Sequence, residues 1–176
     1  MENRAEKVRT LADYQFGTGA GKVLFSDSVK FIMSTRGRVR QILDDETRIA
    51  TVKAGSGWLT ISIEAARRLH SLFPYPQLRV VVLTDVSPFI QEGGNVFSKH
   101  VVEVDKGIRA NDEVLVVDEQ DNLLATGKAI LCAREMLELN RGMAVDVRWG
   151  IMKKEKDEKY EEEPEEYEEE KEDIGN

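Results

Sequence analysis

A chain of 176 residues, 41% hydrophobic and 33% charged, is long enough for one or two compact domains with a real core. Its formal net charge of −8 sits at one end: residues 153–173 hold thirteen acidic residues against five lysines, and the remainder balances at twenty of each sign. The longest aliphatic runs, 80–83 and 114–117, are four residues each, against about 20 for a bilayer crossing, so no membrane partner is expected. The segment MENRAEKVR is charged from its second residue and lacks the apolar stretch of a secretory leader. A single cysteine, Cys132, can form neither an internal disulfide nor a Cys-based zinc site. A reducing cytoplasm is the expected compartment, with no metal and no cofactor.

In chain order, Ala5, Val8, Leu11 and Ala12 recur at three- and four-residue spacing, predicting a short amphipathic helix that Gly17 stops. Four β-rich stretches follow: KFIMS from Lys30, RVRQIL from Arg38, RIATVKA from Arg48 and WLTISI from Trp58. In the last, Leu59, Ile61 and Ile63 alternate with Trp58, Thr60 and Ser62, so the two sets face opposite ways. The connections at Arg36-Gly37 and Asp44-Asp45-Glu46 are too short for helical crossovers and predict antiparallel pairing. A helix then starts at Ser62 as N-cap, with Ala65, Ala66, Leu69, Leu72 and Phe73 as its apolar face, and ends at Pro74 and Pro76. These prolines mark an internal boundary.

The second unit holds RVVVL from Arg79, a helical stretch after Pro88, VFSKHVVEV from Val96, EVLVVD from Glu113, LLATGKAILC from Leu123, a REMLEL helix and MAVDVRW from Met143. Short strands joined by Gly-, Asn- and Asp-bearing turns predict a compact β-barrel.

The glycine-rich run FGTGAGK, 16–22, invites a phosphate-loop reading, but Phe16 and Val23 stand where that motif needs Gly and Ser or Thr, and the run follows a helix. A tight turn explains it better. His70 and His100 lack partners at metal-ligand spacing. No catalytic constellation emerges. Charge is more informative: residues 1–78 carry twelve basic against eight acidic residues. Arg36, Arg38 and Arg40 share parity, so in a strand they would line one face and could meet phosphates; a solvated sheet face is the bland alternative. In the second unit the loop 91–100 (QEGGNVFSKH) combines two glycines, whose amides would be exposed, with Phe97 and Lys99, a combination suited to a nucleotide or phosphate contact.

From this loop onward, GNVF, IRANDEVLVVD from Ile108, ATGKA from Ala125 and EMLELNRGMAVDV from Glu135 resemble the PUA domain, a pseudo-barrel that binds structured RNA. Upstream, LADYQFGTGAGKVLF (11–25), GRVRQI and WLTISIEAARRLH resemble the accessory domain that precedes the PUA domain in archaeal tRNA-guanine transglycosylases of the archaeosine pathway. The resemblance implies an α+β protein. Its parts are an N-terminal accessory domain of antiparallel sheet with flanking helices (1–75), a PUA-type β pseudo-barrel (76–151) and an acidic tail (152–176).

The family's catalytic barrel, with its aspartates and cysteine-rich zinc site, has no counterpart here, so the expectation is a non-catalytic module. It would hold the acceptor stem of tRNA and serve tRNA modification alongside a separate transglycosylase-like catalytic chain. A translation or ribosome-associated factor with a PUA domain is the alternative. The expected RNA contacts are Gly93, Gly94, Asn95, Val96, Phe97 and Lys99, with a local patch of Lys128, Arg141 and Arg148. Residues 79–149 are net acidic, eight basic against twelve acidic, so binding has to rely on such a patch and on shape. The tail would compete with RNA for basic surface. Truncation after Met152 is then expected to raise non-specific RNA affinity at low salt in a filter-binding titration, and unchanged affinity would contradict it.

Overall fold

The computed structural model describes residues 3–153; the acidic run expected at the C-terminus lies outside them, apart from Met152 and Lys153. The N-terminal helix α1 (Arg4–Phe16) turns Val8, Ala12 and Phe16 inward and ends at Gly17, whose φ of 124° few other residues adopt. The glycine run continues into a five-residue helix, α2 (Ala20–Leu24). A Cβ on Gly21 would lie 2.3 Å from the Arg9 carbonyl oxygen, so this glycine lets α2 pack directly on α1. Its N–H donates to Asp13 Oδ1 at 2.7 Å. The motif is occupied with packing.

Four strands then form an antiparallel meander: β1 (Lys30–Met33), β2 (Val39–Asp44), β3 (Thr47–Val52) and β4 (Leu59–Ile61), in that spatial order. Asp45 and Glu46, at φ 46° and 66°, form the two-residue turn between β2 and β3, the geometry that suits hairpin twist. Helix α3 (Ile63–Leu72) follows, capped as expected by Ser62 Oγ, which accepts from the Ala65 N–H. Phe16, Leu24, Ile42, Ile49, Leu59, Ile61 and Leu69 fill the first core.

The second unit is one six-stranded sheet curled around its own core. Its elements are β5 (Arg79–Val82), α4 (Ser87–Gln91), β6 (Val96–Phe97), β7 (Val101–Val104), β8 (Glu113–Asp118), β9 (Leu123–Ala129), α5 (Ala133–Glu138) and β10 (Met143–Gly150). The order is β6-β10-β9-β8-β5-β7; β5 and β8 run parallel and every other pair antiparallel. The single strand expected from Val96 is in fact two. A 3-10 turn at Ser98–His100 breaks it, and its halves lie at opposite edges of the sheet. The break is held by the Ser98 N–H donating to the Gly142 carbonyl and the Leu83 N–H donating to that of His100.

Two polar knots and apolar side chains, Leu115 and Leu123 among them, join the units. Leu115 of β8 packs into the first core. Arg79, 2% exposed, donates to both Asp121 carboxylate oxygens and to the carbonyls of His70 and Gln77. Glu113, also buried, accepts from the Ile61 N–H and pairs with Arg148 at 3.3 Å.

Burial pushes the Glu113 carboxyl up from its ordinary value of 4.5, and Arg148 offsets only part of that. A carboxyl with a raised folded pKa binds its proton more tightly when folded. Its contribution to stability therefore grows as pH falls through that raised value toward the ordinary one. Glu113→Gln should flatten the pH dependence of stability above the ordinary carboxylate range, measured by urea unfolding at several pH values; an unchanged profile would contradict this.

Candidate nucleic-acid interface

The glycine loop connects α4 to β6. Gly93, at φ 98°, ends the helix: its N–H donates to the Ile90 carbonyl at 2.9 Å, and that of Gly94 to the Phe89 carbonyl at 3.0 Å. Both amides are therefore used within the loop. This corrects the expectation that they stand exposed for a ligand. A Cβ on Gly94 would fall 2.2 Å from a ring carbon of Phe89, so the glycine makes room for that ring. Asn95 is likewise committed, its Oδ1 accepting from the Val147 N–H at 2.8 Å. Val96 is fully buried in the barrel core, which takes its side chain out of reach of any RNA.

Beyond the loop the picture changes. Phe97 is 40% exposed opposite Met143 of β10, and Lys99 is exposed on the 3-10 turn. Arg141, exposed in the α5–β10 turn, precedes Gly142, whose carbonyl binds the Ser98 N–H at 3.0 Å. That bond draws the Arg141 turn to the Phe97–Lys99 segment. An aromatic face and two cations thus share the β6–β10 edge. Phe89, 58% exposed on α4, adds a second ring that the sequence reading missed. Its signal is weak, since an apolar residue in a short helix after proline reads as core.

The other basic candidates are placed differently. Lys128 of β9 stands in register between Glu113 on β8 and Asp146 on β10, so carboxylates flank it. Arg148 is engaged with buried Glu113. Arg36 and Arg38 lie in the β1–β2 connection and Arg40 alone is within a strand, which corrects the shared-face expectation. Ser34 causes the difference. It closes the turn by accepting from the Gly37 N–H on its carbonyl and from the Arg38 N–H on its Oγ. These arginines belong to the first unit and the β6–β10 edge to the second.

The first unit carries its own exposed aromatics. Tyr14, 81% exposed, stacks on Trp58 with centroids 5.8 Å apart. Gln15 fixes the spot by donating to the Leu59 carbonyl and accepting from its N–H. Trp58 is legible in the sequence through its parity opposite Leu59 and Ile61. Among the described residues no cluster of three His, Cys, Asp or Glu could hold a metal ion, and no helix is long and apolar enough to cross a membrane.

Comparison with known proteins assigns both units. Residues 6–76 match the patch-forming domain C2 of tRNA-guanine transglycosylase, and residues 78–151 match the PUA domain. The chain is 48% identical over 146 residues to the tRNA-guanine(15) transglycosylase of Methanothermobacter thermautotrophicus, covering 82% of this chain and 22% of that protein. It is 47% identical over 153 residues to the Pyrococcus furiosus enzyme of the same name, covering 87% and 26%. The chain therefore spans about a quarter of the length of the curated relatives it matches. Among solved structures, a hypothetical protein from Pyrococcus horikoshii aligns with a TM-score of 0.67 at 23% identity, covering 85% of this chain and 91% of that one. A PUA domain protein from Thermoplasma acidophilum gives 0.59 at 18%, covering 84% and 91%; both likenesses concern the fold. The chain thus carries a C2 domain followed by a PUA domain and, across both, resembles part of the archaeal tRNA-guanine transglycosylases.

Proposed function

We propose that this chain is a tRNA-binding module without catalytic activity of its own. It grips the acceptor-stem end of tRNA and presents it to a separate transglycosylase-like chain in the cytoplasm. The observation that carries the reading is the pattern of similarity: nearly half-identical sequence across both domains, confined to about a quarter of the tRNA-modifying relatives. The β6–β10 edge supports it chemically. Exposed Phe97 and Phe89 offer stacking faces for unpaired bases, and Lys99 and Arg141 offer charge to phosphates.

The test is filter binding of bulk tRNA by the full chain and by Lys99→Glu/Arg141→Glu. Loss of two phosphate contacts is expected to weaken binding about tenfold or more at low salt and to lower the salt slope by about 2. Equal binding by the variant would move the RNA off this edge.

A further inference from the structure

A groove of about 280 Å³ lies between the two domains, where β3 and the start of α3 face the end of β10. Arg67, Trp149 and Lys153 line it, and the Arg48 guanidinium sits 5.0 Å from the centre of the Trp149 ring. The Lys153 ammonium lies 5.8 Å from the same centre. An indole attracts cations to its face and so holds two like charges near each other. Arg67 is exposed, and neither it nor Lys153 has a carboxylate partner among the described residues. Glu64, the one carboxylate among the described residues lining the groove, already accepts from Arg68 Nε at 3.2 Å. Ile63 and Glu64 also bring the positive end of α3 to the groove wall.

Among the described residues the chemistry of the groove is therefore cationic and aromatic, with Glu64 engaged, although the whole chain is acidic. It is also continuous with the edge described above. A Cβ on Gly93 would meet Lys153 Cδ at 3.2 Å, so the Lys153 stem crosses the glycine loop to reach Trp149.

We propose that this seam is an RNA phosphate-binding site, in which Trp149 positions Lys153 beside Arg67 so that the two cations meet successive backbone phosphates. The site needs both domains: Arg67 comes from the C2 domain, Trp149 from the PUA domain, and Lys153 lies just beyond it. A strand bound at the β6–β10 edge would thus be followed along the backbone toward the C2 domain. This deepens the tRNA-binding reading and rests on it.

The experiment is filter binding of bulk tRNA by the full chain, across salt, for the wild type, Arg67→Glu/Lys153→Glu, and a charge-matched control, Lys106→Glu/Arg134→Glu. All four positions are exposed, and the control pair lies on the β7–β8 connection and α5. The seam variant is expected to bind about tenfold more weakly at low salt, with a slope reduced by about 2, while the control stays within about twofold of the wild type. Trp149→Leu is expected to lose affinity and Trp149→Phe to recover most of it, with circular dichroism showing both folded. If the wild type binds tRNA and the seam variant matches it, the seam is not a site and the broader reading stands. An equal loss in the control would assign the effect to diffuse charge and overturn the site. If the wild type does not bind tRNA at all, both readings fall.

Discussion

Arg79→Met is expected to destabilise the protein by about 3 kcal/mol at neutral pH, since removing one member of a buried ion pair costs about 3–5 kcal/mol. The lower figure applies because Asp121 is one-third exposed and keeps some hydration. The methionine fills most of the volume, so the loss comes from polar groups deprived of the Arg79 donor: the Asp121 carboxylate and the carbonyls of His70 and Gln77. Acid sensitivity should change with it. Burial pushes the Asp121 carboxyl up, but the hydrogen bonds and charge of Arg79, with His70, outweigh this and hold it below its ordinary value of 3.8. A carboxyl with a lowered folded pKa contributes stability that is present above the ordinary value and lost as pH falls through the folded one. Urea unfolding should show a weaker stability loss below about pH 4 in the variant than in the wild type. A variant as stable as the wild type, with the same acid limb, would contradict the role given to Arg79.

Gly150→Ala should cost a similar amount for a steric reason. The added Cβ would lie 2.2 Å from the Gln91 carbonyl oxygen and 2.7 Å from the Gly93 nitrogen, both backbone atoms that no rotamer change can clear. The end of β10 would have to part from the α4–β6 loop, breaking the Met152 N–H bond to the Gln91 carbonyl. Overpacking of this kind costs about 3 kcal/mol, a fall in Tm of about 10 °C for a chain of this size. Gly142→Ala is the useful comparison. Its surroundings are open and only its φ of 104° opposes the substitution, so about 1 kcal/mol is expected. If thermal melts rank the two the other way, the close approach at Gly150 is not what holds the loop.

The first sheet is legible because its determinants are local: the alternation around Leu59 and Ile61, the Ser62 cap and the short polar turns at Gly37 and Asp45. The second unit is less so where distant partners decide. Nothing within SKH marks a strand break; the bonds that make it come from Gly142 and Leu83. Arg79 at the head of a valine run reads as a polar strand end, and its burial depends on acceptors at positions 70, 77 and 121. The site follows the same division. Lys99 and Arg141 are cations whose exposure an ordinary surface position already suggests. The glycines beside them read as ligand contacts, but Phe89 occupies the space at Gly94 and the Lys153 stem lies over Gly93. Arg48, Arg67, Trp149 and Lys153 are scattered over a hundred residues of sequence and meet where the two domains pack together, held by contacts that include the knots at Arg79 and Glu113.

The central claim, that this chain binds tRNA through local contacts despite a net charge of −8, is tested most directly by titrating the full chain with bulk tRNA between about 50 and 200 mM salt. Saturable binding whose log K falls linearly with log salt is the predicted result. No binding at the lowest salt, or binding with no salt dependence, would contradict it.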